Sequence, residues 1–139
     1  MTQIGSCHVI YGDEIETLSF DWGSVKILSD PEKTDAQRFS FGMVVLEPGK
    51  GHQRHNHPDE DEIIFVMSGE GEQMLDDQPP VKVKPGASIY IPKGVFHGTV
   101  NTSWEPMRLL VVYAPVGPEV VLRNLPECTV VPAGQTPKR

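Results

Sequence analysis

Three histidines, His52, His55 and His57, fall within six residues and stand just before the acidic run Asp59-Glu60-Asp61-Glu62. Imidazole nitrogens together with a carboxylate oxygen make a ligand set for a divalent metal ion. In an extended chain residues i and i+2 point to the same face, so His55 and His57 present both rings to one point. A turn over 58–61 then reverses the chain. Glu62 opens the apolar run Ile63-Ile64-Phe65-Val66 and returns its carboxylate to the two histidines. A fourth ligand must come from elsewhere. His97, after Pro92-Lys93-Gly94 and before Gly98-Thr99-Val100, is the candidate. Asp59, Glu60 and Asp61 read most simply as a solvated turn. Any of them replaces Glu62 if the hairpin slips, because a one-residue slip flips every side chain to the other face.

The elements that must hold these side chains are short. Gly and Pro fill 26 of 139 positions, scattered as punctuation. Between them lie stretches rich in Val, Ile, Phe and Tyr at 23–28, 39–46, 62–67, 81–83, 88–91, 98–100 and 107–113, which read as strands. No stretch sustains a helical apolar period over three turns, so the pattern predicts an all-β sandwich or barrel rather than an α/β sheet. Asp30 followed by Pro31 signals a helical turn before Phe39. Residues 116–123 read as a final strand or a turn, and 132–139 as a polar tail on the surface or against a partner subunit.

Composition bounds the rest. The chain is 139 residues long with 38% hydrophobic and 22% charged residues, the expected make-up of one soluble domain spanning 1–139. A chain of this size buries roughly two-thirds of its unfolded surface, enough for one core. Its net charge of −7 and lack of a basic run argue against nucleic acid. The first twenty residues carry Asp13, Glu14 and Glu16 and no signal-like apolar stretch, so no membrane partner and a cytoplasmic location are expected. Cys7 and Cys128 are too few and too far apart for a disulfide framework, and read as reduced thiols.

Two spaced motifs carry a resemblance. The run Gly49-x5-His55-x-His57-x4-Glu62-x6-Gly69 is similar to the first cupin motif at every anchor. The run Gly86-x5-Pro92-x-Gly94-x2-His97-x3-Asn101 is similar to the second. The chain thus resembles a small single-domain microbial cupin, with motif 1 at 49–69, motif 2 at 86–101 and a C-terminal strand and tail at 115–139. The resemblance implies a single jelly-roll barrel (a double-stranded β-helix) with few or no helices, and His55, His57, Glu62 and His97 as metal ligands. Three imidazoles and one carboxylate suit one divalent transition metal, Fe, Mn, Ni, Co or Zn, and the ligand set does not choose among them.

What such a cupin does is less narrowly implied, since the family holds oxygenases, decarboxylases, isomerases, lyases and sugar-binding regulators. The expectation is a metal-dependent enzyme acting on a small oxygenated metabolite by isomerase, lyase or dioxygenase chemistry, with Glu62 also able to take a proton. The alternative is a non-enzymatic metal-containing cupin that binds a small molecule or sugar. Small cupin lyases that cleave dimethylsulfoniopropionate carry a tyrosine two residues after the ligand glutamate. Ile64 stands there in this chain, so that role falls to Tyr90 or Tyr113 or is missing. Ile64, Val66 and either Met43 or Val45 are expected to line a small, mostly dry pocket. His52 reads as an exposed loop residue or an acid/base beside the metal, and His8 as surface. Trp22, Tyr90, Phe96 and Trp104 read as core or subunit-contact aromatics. A homodimer is expected, since the edge of an open barrel invites pairing; the strand at 22–28 or the tail after Tyr113 is read as the element that crosses.

Overall fold

The computed structural model describes residues 1–138. A hairpin of β1 (Thr2–Ile4) and β2 (Cys7–Val9) leads into β3 (Thr17–Phe20) and β4 (Gly23–Ser29). After helix α1 (Pro31–Thr34) come β5 (Ser40–Leu46), β6 (Asp61–Ser68), β7 (Gly71–Leu75), β8 (Val81–Val83), β9 (Ser88–Ile91), β10 (His97–Asn101) and β11 (Met107–Ala114). Helix α2 (Pro118–Arg123) and β12 (Thr129–Val131) complete the order. The large sheet runs β12-β3-β4-β5-β11-β6-β9 and the small one β10-β7-β8, every pairing antiparallel. This is the expected all-β jelly roll, with two short helices outside it.

Period-two alternation decides what faces inward. On β6 the inward set is Glu62, Ile64 and Val66; on β11 it is Met107, Leu109, Val111 and Tyr113. On β5 the buried positions are Ser40, Gly42, Val44 and Leu46. The expectation of Met43 or Val45 inside is therefore corrected to Val44 and Leu46. Nearly every side chain of β5 is apolar, so its pattern could not say which face is which.

Helix α1 forms where its N-cap signal stands. Asp30 Oδ1 accepts from the Lys33 backbone N–H at 2.8 Å, Pro31 opens the first turn, and the helix stops at Asp35 in the left-handed region. The segment 116–123, read as strand or turn, contains α2 instead. Pro118 opens the helix, and Glu119 folds back so that its carboxylate accepts from the Gly117 N–H at 2.9 Å. The buried Glu119 also accepts from Ser40 at 2.9 Å, and Arg123 pairs with Glu16, so both ends of α2 are tied to the barrel. Leu122 is thereby driven into the barrel interior.

The motif anchors have structural reasons. Gly69 has φ of +84°, and a Cβ there would stand 2.8 Å from Met107 Cα, so the β6–β7 turn requires glycine. Asn101 is fully buried: its amide donates to the carbonyls of Leu46 at 3.0 Å and Glu105 at 2.7 Å, and its oxygen accepts from Ser103. It ties β10 to β5 and to the loop before β11.

Candidate metal centre

Three backbone arrangements bring the four candidate ligands together. The long connection from β5 to β6 crosses to the small sheet, where His55 pairs with His97 through two backbone hydrogen bonds of 2.9 and 2.8 Å. That bridge sets the two rings side by side, 4.3 Å apart. His57 follows two residues on. Glu62 arrives from β6, paired with Tyr113 on one side and Ile91 on the other. One ligand atom from each of His55, His57, Glu62 and His97 lies within 4.8 Å of the others.

The directions of these atoms matter more than their spacing. Glu62 Oε1 stands 2.8 Å from His97 Nε2 and 3.2 Å from His57 Nε2. None of the three makes a well-aligned hydrogen bond, although all three are shut off from solvent. A buried unpartnered polar atom is costly, and three of them facing one point are what a metal ion relieves. The outer nitrogens are already used. Nδ1 of His55 donates to the Gln53 carbonyl at 2.6 Å, and Nδ1 of His97 to the Val95 carbonyl at 2.9 Å. A carbonyl only accepts, so each Nδ1 carries the proton and each Nε2 turns a lone pair inward when the ring is neutral.

Electrostatics agrees with that arrangement. Burial, assisted by the neighbouring His52, brings His55 down to about 3, so its ring is neutral at pH 7. Burial works to raise the Glu62 carboxyl, but His57 and His97 outweigh it and hold Glu62 ionised, below the usual carboxylate range. Burial likewise opposes the imidazolium of His97, and the Glu62 carboxylate overcomes it and lifts the His97 pKa. One carboxylate facing three imidazoles is a site that attracts a cation.

The neighbouring acids do not compete. Asp61 lies on the opposite face of β6 and accepts from the Lys93 N–H at 2.8 Å, Asp59 is exposed, and Glu60 is outside the cluster. The register therefore puts Glu62, and none of its acidic neighbours, in the cluster.

Of the two readings of His52, that of an exposed loop histidine does not hold. Its ring stacks 4.9 Å from Trp22 and lies 4.0 Å from His55, and Trp22 stacks in turn on Phe20. Burial, against the pull of Glu62, brings His52 down to about 4. It lines the cavity but is no member of the ligand cluster. Replacing it with Ala is expected to leave metal content unchanged and to alter only what binds beside the metal, as read by elemental analysis and ligand titration. Trp22, read as a core or subunit-contact aromatic, forms the wall behind it. Tyr90 is 61% exposed, and Phe96 and Trp104 are exposed as well, so none of these three enters the site. His8 lies on β2, half-buried and outside the cluster.

The cavity has a volume of ≈ 40 Å³ and is mainly apolar, with Val44, Leu46, Ile64, Leu109 and Val111 as walls and Leu122 of α2 reaching in. Besides His55, Glu62, His97 and His52, its polar groups include Thr99 and Tyr113. The Tyr113 ring meets His57 edge-on at 5.2 Å, and burial together with the charges of Glu62 and Glu119 raises its pKa, keeping the phenol protonated. Of the two tyrosines named from sequence, the inner one is Tyr113.

Fold and motifs agree with comparison to known proteins. The family model for the cupin domain matches residues 42–113, and the chain belongs to the cupin family. It is 33% identical over 96 residues to Protein SchB of Streptomyces halstedii, an alignment covering 69% of each chain. It is 34% identical over 89 residues to a glucose-6-phosphate isomerase of Thermococcus gammatolerans, covering 53% of this chain and 46% of the isomerase. The chain thus spans about half the length of that enzyme. An RmlC-like cupin from Shewanella frigidimarina superposes with a TM-score of 0.69 at 18% identity, over 81% of this chain and 95% of that one. Lyase and decarboxylase cupins are also among the matches. Among the described residues no helix is long and apolar enough to cross a membrane.

Proposed function

We propose that this cupin is a divalent-metal-dependent enzyme that isomerises or cleaves a small oxygenated metabolite by moving a proton next to a carbonyl. The observation that carries the reading is the convergence of His57 Nε2, His97 Nε2 and Glu62 Oε1, buried and without hydrogen-bond partners, on one point. With His55 these residues would hold one transition-metal ion of the Fe, Mn, Ni, Co or Zn type, whose chemistry there is Lewis-acid polarisation of a bound oxygen.

The chain's own groups supply the rest. Tyr113 keeps its proton, so its phenol donates a hydrogen bond to a substrate oxygen rather than removing a proton. Glu62 and the neutral His52 are the bases at hand. The apolar walls exclude water, which strengthens every polar contact inside. A relative named glucose-6-phosphate isomerase supports aldose–ketose chemistry as one form of this reaction. A cavity of ≈ 40 Å³ leaves room for only a small part of a substrate beside the metal ion.

The test is solvent exchange. Metal-loaded protein is incubated in D₂O with a panel of aldoses, ketoses, 2-oxo acids and 1,3-dicarbonyls, and deuterium uptake beside the carbonyl is read by NMR. Uptake into one compound class, reduced at least ~100-fold in Tyr113→Phe, is the expected result. A fully metallated protein that exchanges none of them, yet binds one, would instead be a small-molecule-binding cupin.

A further inference from the structure

Gln73 and Thr99 form a polar pair in the buried part of the small sheet. Strand register sets them directly opposite each other on β7 and β10. Gln73 is fully buried and Thr99 is 5% exposed. Thr99 lines the cavity, among walls of Val, Leu and Ile, and Gln73 stands behind it. Residues two apart on a strand share a face, so Thr99 follows the ligand His97 by about 7 Å along β10. A buried hydrogen-bonded pair adds little to stability, since two apolar side chains of the same shape pack about as well. What it adds is direction.

The pair fixes where one proton points. Gln73 Nε2 donates to the Met74 carbonyl at 3.2 Å, and a carbonyl only accepts, so the amide oxygen is the atom that faces Thr99. The Thr99 hydroxyl donates to that oxygen at 2.5 Å. A hydroxyl has one proton, and with it committed Thr99 can only accept from a bound molecule. Tyr113, the other hydroxyl that lines the cavity, keeps its proton and donates. The two hydroxyls are therefore of opposite kind.

We infer that Thr99 selects the substrate by accepting a hydrogen bond from a hydroxyl that the substrate carries near its carbonyl, with Gln73 as the positioning residue behind it. The substrate class is then the hydroxyaldehydes and hydroxyketones. Diketones and 2-oxo acids are disfavoured, because their oxygens meet the Thr99 lone pairs with no proton between them. This rests on the reading of the site as one that binds a carbonyl compound beside a metal ion, and narrows it. A site built to bond a substrate hydroxyl rejects the analogue that lacks it, since its own buried group is left unpaired.

Acetoin and diacetyl test this. They share a carbon skeleton, both present two oxygens to a metal ion, and differ in whether the second oxygen is a hydroxyl or a carbonyl. Binding of each to the metal-loaded protein is read by NMR titration. The wild type is expected to prefer acetoin by at least ~10-fold, the worth of about one hydrogen bond. Thr99→Val is expected to bring the ratio near one, and Thr99→Ser to restore it. Gln73→Leu frees the Thr99 proton for diacetyl, so the ratio collapses there as well, whereas a merely structural Gln73 would weaken both probes alike. Should Thr99→Val lose its native circular dichroism because the Gln73 oxygen is stranded, the ratio in Gln73→Leu decides. No preference in the wild type, or an unchanged ratio in the deciding variant, overturns the inference. The enzyme reading fails separately: a protein that keeps this selectivity yet exchanges no solvent deuterium is a binding cupin in which Thr99 still selects. One that exchanges deuterium while the ratio ignores Thr99 is an enzyme in which it does not.

Discussion

Glu62→Ala is expected to lower metal affinity by more than ~100-fold, beyond the 10–100-fold that loss of an outer hydrogen-bond partner costs. The carboxylate is the only anion in the cluster, and it lies against His57 and His97 at 3.2 and 2.8 Å. Without it three imidazoles remain, with nothing to offset the charge of a bound cation. Glu62→Gln separates charge from shape: it keeps the volume and one oxygen, and is expected to bind metal nearly as poorly as the alanine variant. Competition with a chelator, followed by elemental analysis of the retained protein, measures both. Acid acts in the same direction. Metal binding requires neutral imidazoles, and Glu62 lifts the pKa of His97 in the free protein, so protons compete at that residue first. Affinity therefore falls as pH drops through the histidine range. In Glu62→Gln, where that lift is gone, the fall begins at lower pH.

The second large effect concerns stability. Asn101→Ala removes side-chain hydrogen bonds to Leu46, Glu105 and Ser103 from a position with no solvent exposure. Each such bond is worth about 1 kcal/mol net, and stranding the buried carbonyl partners adds to that, so a loss of roughly 3 kcal/mol is expected. For a chain of this length the midpoint of thermal unfolding falls by about 10 °C. A calorimetric scan of the metal-free protein checks it, and a shift under 2 °C would show that the loop before β11 holds without Asn101.

These two residues are anchors of the two motifs, and that is why the centre was legible in the sequence. Ligands at fixed offsets along strands need no knowledge of distant contacts: His55, His57 and Glu62 follow from alternation and one turn. The strands that were legible, such as β8 and β9, are Val- and Ile-rich and bounded by Gly or Pro. β3 was not, because Thr17, Leu18, Ser19 and Phe20 are all buried and show no alternation. β7 hides for the opposite reason. Gly71-Glu-Gln-Met-Leu75 looks polar, yet Gln73 is fully buried, accepting from Thr99 and donating to the Met74 carbonyl.

His52 stood in the sequence reading as one of two alternatives, whereas Trp22 and Leu122 were missed at the site: they come from the turn before β4 and from helix α2, and only the closed barrel brings them to one cavity. No local spacing encodes that meeting. The position of α2 had a faint signal in Pro118 followed by Glu119, masked by Val120 and Val121, which favour strands.

The central claim is that four side chains, contributed by two distant segments, hold one metal ion. It is tested most directly by elemental analysis of protein purified without a polyhistidine tag, with His97→Ala purified in parallel. The expected result is close to one transition-metal ion per wild-type chain and less than a tenth of that, roughly, in the variant. Equal metal in both proteins, or none in the wild type after incubation with Fe, Mn, Ni, Co and Zn salts, would contradict the account.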